Sequence, residues 1–86
     1  MGKRIIRKYQ IREQDVDSAL DLMQRLPTLT NAELRIAVLI GRGLTSRETA
    51  ETLGTSERTI ENHRYRIRKK LNITSNADLR SALTDI

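Results

Sequence analysis

The sequence predicts an all-α fold, a small helical bundle, and three observations predict it. With 37% apolar side chains and neither Phe nor Trp, its core must be built from Leu, Ile, Val, Ala and Met, which pack readily between helices. Apolar residues recur at helical spacing and are bracketed by repeated helix-start and helix-stop signals. The only Pro, Pro27, divides an amino-terminal stretch from everything after it. At 86 residues the chain fits one core that hides roughly 60–65% of the surface of its unfolded form, which leaves little room for a buried catalytic cavity.

Residues 1–27 read as a basic arm and an amphipathic helix, a linker or dimerisation segment, and residues 28–86 as the folded domain. In the arm, Ile5, Ile6, Tyr9 and Ile11 lie among basic residues. An extended arm, a strand borrowed from a neighbour and disorder all fit residues 1–12. Val16, Ala19, Leu20, Met23 and Leu26 then recur at helical spacing, with Asp15 and Asp17 near the start, where negative charge suits the helix dipole. A helix over Glu13–Leu26 follows. Thr30-Asn31-Ala32-Glu33 is a capping box, in which Thr and Glu satisfy orphan backbone N–H groups of the first turn. It opens a helix with Leu34, Ala37, Val38 and Ile40 as its apolar stripe, closed by Gly41 and Gly43. Thr45-Ser46-Arg47-Glu48 repeats the box, and that helix runs through Ala50 and Leu53 to Gly54, suited to the left-handed turn that ends it. Thr55 or Ser56 caps a longer helix over about Glu57–Leu71. Ser75 begins the last, in which Leu79, Ala82, Leu83 and Ile86 share one face.

Composition excludes several chemistries. There is no Cys, so there are no disulfides, zinc-thiolate sites or thiol nucleophiles. His63 is the only histidine, and the group Asp15, Asp17 and Asp21 lacks the Gly and terminal Glu of a calcium loop. No metal or cofactor is expected, and no nucleophile–base pair is spaced for an enzyme. No apolar run approaches the roughly 18–20 residues needed to span a bilayer, and no signal-peptide core is visible, so a cytoplasmic location is expected. The net charge of +5 is uneven: residues 1–12 carry five positive charges and no negative ones, and residues 56–71 carry six positive and two negative. A polyanion such as nucleic acid suits such blocks; a solvated basic face is the plainer alternative.

Two helices joined by a few residues, with a small residue in the first, Gly in the turn and an apolar residue early in the second, make a helix-turn-helix. Here these are Ala50, Gly54 and Ile60. At about 100° per residue, Ile67 and Leu71 fall within about 20° of Ile60 and define the buried side of the second helix. Arg58, Asn62, Tyr65 and Lys69 point the opposite way, with Arg66 beside them. That face offers the donors and acceptors that meet base edges and phosphates in a DNA groove.

The residues resemble the LuxR-type, GerE-like, carboxy-terminal helix-turn-helix domain of bacterial transcription regulators. The resemblance covers about Leu29–Ala82. Its marks are Leu29-Thr30 with Glu33, Val38-Leu39, Gly43-Leu44-Thr45 with Glu48-Thr49-Ala50, Leu53, Ser56, Thr59-Ile60-Glu61-Asn62-His63, and Lys70-Leu71. Thr49 and Thr55 stand where the family usually has aliphatic residues, and Glu61 where many members have Lys. The resemblance implies a four-helix core, here with an extra amino-terminal helix, whose third helix reads DNA and whose fourth often pairs two copies. It further implies base reading from Glu61, Asn62 and Tyr65, to which the wheel adds Arg58 and Arg66, and phosphate contacts near Thr45, Ser46, Arg47, Thr59 and Lys69. Leu79, Ala82, Leu83 and Ile86 would form the dimer seam.

The expected function is sequence-specific binding of double-stranded DNA as a homodimer, in a transcription regulator that also meets RNA polymerase or an upstream sensory domain, with no membrane partner. The alternatives are a sigma-factor-like promoter-reading domain and a protein-interaction module on the same fold. Some side chains have plainer readings too. Lys69 and Arg68 would serve as solvated helix charges, and Tyr65 as a cover for the bundle edge. His63 reads as half-buried and hydrogen-bonded, and Arg64 as packing its stem inward while pairing with an acidic residue.

Overall fold

The computed structural model describes residues 10–84, in which five helices follow one another: α1 (Glu13–Arg25), α2 (Asn31–Gly41), α3 (Ser46–Leu53), α4 (Glu57–Leu71) and α5 (Asn76–Thr84). No strand occurs among the described residues, so the chain forms the expected all-α bundle. Ile5, Ile6 and Tyr9 of the basic arm lie outside the described residues, as does Ile86.

Local signals set the boundaries. At α2, Thr30 Oγ1 accepts from the Glu33 N–H at 3.2 Å while the Thr30 N–H donates to Glu33 Oε1 at 2.8 Å. Thr45 and Glu48 repeat the exchange at α3, at 3.1 and 2.9 Å. Ser56, not Thr55, caps α4, its hydroxyl accepting from the Thr59 N–H at 3.1 Å. Gly54 ends α3 at φ 69°, where a Cβ would be strained. α1 stops one residue short of the expected Leu26 because the residue before a proline is driven out of the helical region; Leu26 sits at φ −127°, ψ 68°.

α2 is the centre of the bundle and packs against α1, α3, α4 and α5. Between Glu33 and Ile40 only Arg35 is exposed, so the expected stripe is in fact a helix buried on nearly every side. Gly41 belongs to this packing rather than to a turn: a Cβ there would lie 3.0 Å from the backbone oxygen of Leu83, so its absence lets α5 approach. Leu79 is fully buried and Leu83 nearly so, within the core of a single chain. Of the four residues expected at the dimer seam, these two are therefore engaged within the fold of one chain. Ala82 is half-buried.

The docking of α1 also differs from the expected stripe. It turns Leu22 inward, with Ala19 and Leu26 partly covered, and leaves Val16, Leu20 and Met23 about half exposed. Asp15 decides the rotation. Its buried carboxylate accepts from Arg42, just past the end of α2, at 2.8 Å and from the Arg12 N–H at 2.7 Å, while Arg42 also donates to the Gln10 carbonyl at 2.7 Å.

A second ion pair ties α4 to α2. Lys70 donates to buried Glu33 at 2.6 Å and to the Thr28 carbonyl at 2.9 Å. Burial alone would raise the Glu33 pKa, but the hydrogen bonds from Lys70 and Thr30 outweigh it and hold the carboxyl below its ordinary value. A carboxyl with a lowered folded-state pKa contributes stability that is present above the unfolded value and lost as pH falls through the folded one. Acid titration of stability should therefore be shallower in Glu33→Gln than in the wild type below about pH 4.5. At pH 7 that variant should lose about 1–2 kcal/mol, because Lys70 keeps part of its hydration. Urea unfolding across pH measures both. Equal acid slopes in the two proteins would refute the assignment.

Candidate nucleic-acid interface

The first turn of α3 and the outer face of α4 come together through the Gly54 turn. Thr55 donates its N–H to the Ala50 carbonyl at 3.0 Å, drawing the chain back across the end of α3 before Ser56 starts α4. Ala50 is buried at the crossing, and Ile60 and Ile67 have no exposed surface, so α4 is held by its inner side. Leu71 is only half-buried at its end.

Arg58, Glu61, Asn62, Tyr65, Arg66 and Lys69 are all exposed on α4, and the expected reading residues therefore share one outward surface. Tyr65 is 54% exposed, with Lys69 Nζ 5.4 Å and Arg68 Cζ 5.8 Å from its ring centroid. Such cation–π contacts contribute about 0.5–1 kcal/mol each at exposed sites, enough to hold the phenol and the cations side by side. Thr45 and Thr59 are exposed as well, although both are engaged locally: Thr45 in its capping box, and Thr59 Oγ1 at 2.9 Å from the Ser56 hydroxyl. Arg47 projects from the first turn of α3, its side chain 79% exposed and 3.9 Å from Glu51.

Ser46 departs from this pattern. Its side chain is buried, and its hydroxyl donates to Glu61 Oε2 across the helix-turn-helix. A serine hydroxyl carries one hydrogen, so Ser46 does not stand open to an outside acceptor. The sequence gives no sign of this pair, because the partners lie on different helices.

Three inner residues complete the site. Arg64 is buried, and its Nε donates to the side-chain carbonyl of Asn76 at 3.3 Å, so an amide replaces the acidic partner expected for it. Burial presses the guanidinium below its ordinary pKa, and nearby Arg68 and Arg80 add to this, while Glu61 counters it. His63 is half-buried, but its buried Nδ1 has no hydrogen-bond partner among the described residues. Thr49 is fully buried with its hydroxyl unpaired, and so fills the space of the aliphatic residue expected there.

This surface presents guanidinium, ammonium, amide and phenol groups to solvent. Among the described residues, no three acidic or histidine side chains gather into a group that could hold a metal ion. No helix among them is long and apolar enough to cross a membrane.

Comparison with known proteins adds a family. Residues 27–82 match the model of the family described as bacterial regulatory proteins, luxR family. Over 51 residues the chain is 45% identical to the uncharacterized response regulatory protein YgeK of Escherichia coli, covering 59% of this chain and 35% of that protein. It is 37% identical over 73 residues to the transcriptional regulatory protein TdiR of Thauera aromatica, covering 85% and 31%. The transcriptional regulatory protein FixJ of Rhizobium meliloti is 36% identical over 63 residues, covering 73% and 31%. The chain thus spans about a third of the length of these relatives. No solved structure matches it.

Proposed function

The chain belongs to the luxR family of bacterial regulatory proteins, and from that premise we propose that it binds double-stranded DNA sequence-specifically within a transcription regulator, with α4 in the major groove. The observation that carries this reading is the two-sidedness of α4. Ile60 and Ile67 are fully buried, while Arg58, Asn62, Tyr65, Arg66 and Lys69 stand together in solvent. A helix so anchored presents a rigid polar face to a groove that admits a helix. Asn62 suits an adenine edge, Arg58 and Arg66 suit guanine, and Arg47, Thr45, Thr59 and Lys69 flank them toward the phosphates.

Two copies bind one site in this reading, with half-site centres about 10 base pairs apart so that both α4 helices meet the same side of the duplex. A sensory domain or RNA polymerase is the natural source of regulation, since the match covers only about a third of the length of the regulators it resembles.

Selection from randomised duplexes at low salt tests the proposal. It should enrich a paired site, and enrichment of nothing would end this reading. Asn62→Ala and Tyr65→Ala should each relax preference at one position by about 1–3 kcal/mol without loss of fold. An equal loss on selected and random duplexes would instead make these side chains non-specific contacts.

A further inference from the structure

A carboxylate is an awkward group on a surface meant to meet a polyanion. Glu61 nevertheless sits on the exposed side of α4 beside Asn62, and the structure spends a buried hydroxyl on it: Ser46 Oγ donates to Glu61 Oε2. Two chemical limits follow. A phosphate oxygen only accepts, so Ser46 can donate to a phosphate or to Glu61, but its single hydrogen does not serve both. An ionised carboxylate also only accepts, and with one of its roughly four lone-pair sites taken by Ser46, it keeps Oε1 and the rest for another donor.

On the major-groove edge of DNA the donors are few. Guanine offers N7 and O6, both acceptors, and thymine offers O4 and a methyl group. Adenine sets an acceptor, N7, beside its amino group, which suits an amide but opposes a carboxylate. Cytosine presents its N4 amino group without a neighbouring acceptor.

We propose that Glu61 selects cytosine in the bound duplex, and that Ser46 is a positioning residue that aims the Glu61 carboxylate from the first turn of α3. This rests on the DNA-binding reading and replaces the phosphate contact expected of Ser46. The pair lies 15 residues apart in sequence and joins the two helices of the helix-turn-helix. The seating of α3 therefore fixes the aim of a base-reading group on α4.

Randomised-duplex selection on the whole chain, with wild type, Glu61→Gln, Glu61→Ala and Ser46→Ala in parallel, tests the assignment. The wild type should show one cytosine position that depends on Glu61. Glu61→Ala should lower that preference about five- to 150-fold, the span of one good base contact. Glu61→Gln keeps the size of the side chain and an acceptor for Ser46, and should move the preference from cytosine toward adenine. Ser46→Ala should blunt preference at that same position and no other, and its effect should largely vanish in a Glu61→Ala background. A uniform loss of affinity in Ser46→Ala on all duplexes would restore the phosphate role and overturn the proposal. So would a clear wild-type site with no position altered by either Glu61 variant, which would leave the DNA-binding reading standing. A wild type that enriches nothing would remove both.

Discussion

Ile60→Ala is expected to destabilise the protein by about 3–4 kcal/mol, the cost of removing a fully buried aliphatic side chain and leaving its cavity. Ile60 has no exposed surface and enters the core as α4 crosses α2 and α3. A chain of this size has a total stability of about 4–13 kcal/mol, so the loss is about a quarter of it or more. Tyr65→Ala removes a larger side chain from the same helix, yet that side chain is 54% exposed, and its removal should cost at most about 1–2 kcal/mol, its two cation–π contacts included. The two variants separate stability from recognition: the first shifts the urea midpoint much further than the second, and the second alters the selected site. Equal midpoints for both would show that α4 is not anchored through Ile60.

Salt dependence is the second large effect. Arg47 and Lys69 are the two cations in the proposed phosphate set, so two copies on one duplex bring four. At about 0.9 counterions released per neutralised phosphate, the slope of log affinity against log salt should be about −3.6, and a fourfold rise in salt should weaken binding about 150-fold. Lys69→Ala should bring the slope to about −1.8 and weaken all sequences alike. Fluorescence anisotropy on a selected and a random duplex measures this directly. A wild-type slope near −1.8 would mean one chain per site, and a slope near zero would contradict phosphate contact altogether.

The fold was legible wherever the governing physics is local. Thr30 with Glu33, and Thr45 with Glu48, lie three residues apart and announce their helices; Gly54 and Pro27 end segments through their own backbone limits. The inner side of α4 was legible for the same reason, since Ile60 and Ile67 sit two turns apart on one helix. What the sequence concealed is pairwise and long-range. The apolar arc of α1, from Leu22 round to Leu20, spans about 160° at helical spacing, which is wider than one contact with α2 can cover. Periodicity finds such an arc but cannot tell which half docks. Asp15 and Arg42, 27 residues apart, make that choice. An amphipathic α5 likewise shows that Leu79 and Leu83 are covered, without showing that α2 covers them. Ser46 and Glu61 belong to the same class: each is ordinary alone, and their meaning comes from being brought together.

The position of α1 has a consequence for how the molecule comes apart. Among the helices it packs against α2 alone, whereas α4 is gripped by α2, α3 and α5. Local opening follows the number and burial of the contacts that must break. Detaching α1 breaks one interface, centred on Leu22 and the Asp15–Arg42 pair, and uncovers one flank of α2 while the helix-turn-helix stays closed. The helix facing solvent with Val16, Leu20 and Met23 thus covers the central helix from one side only. Amide protons in α1 are expected to exchange through a separate, earlier-opening unit from those in α2 and α4, which native-state hydrogen exchange measures.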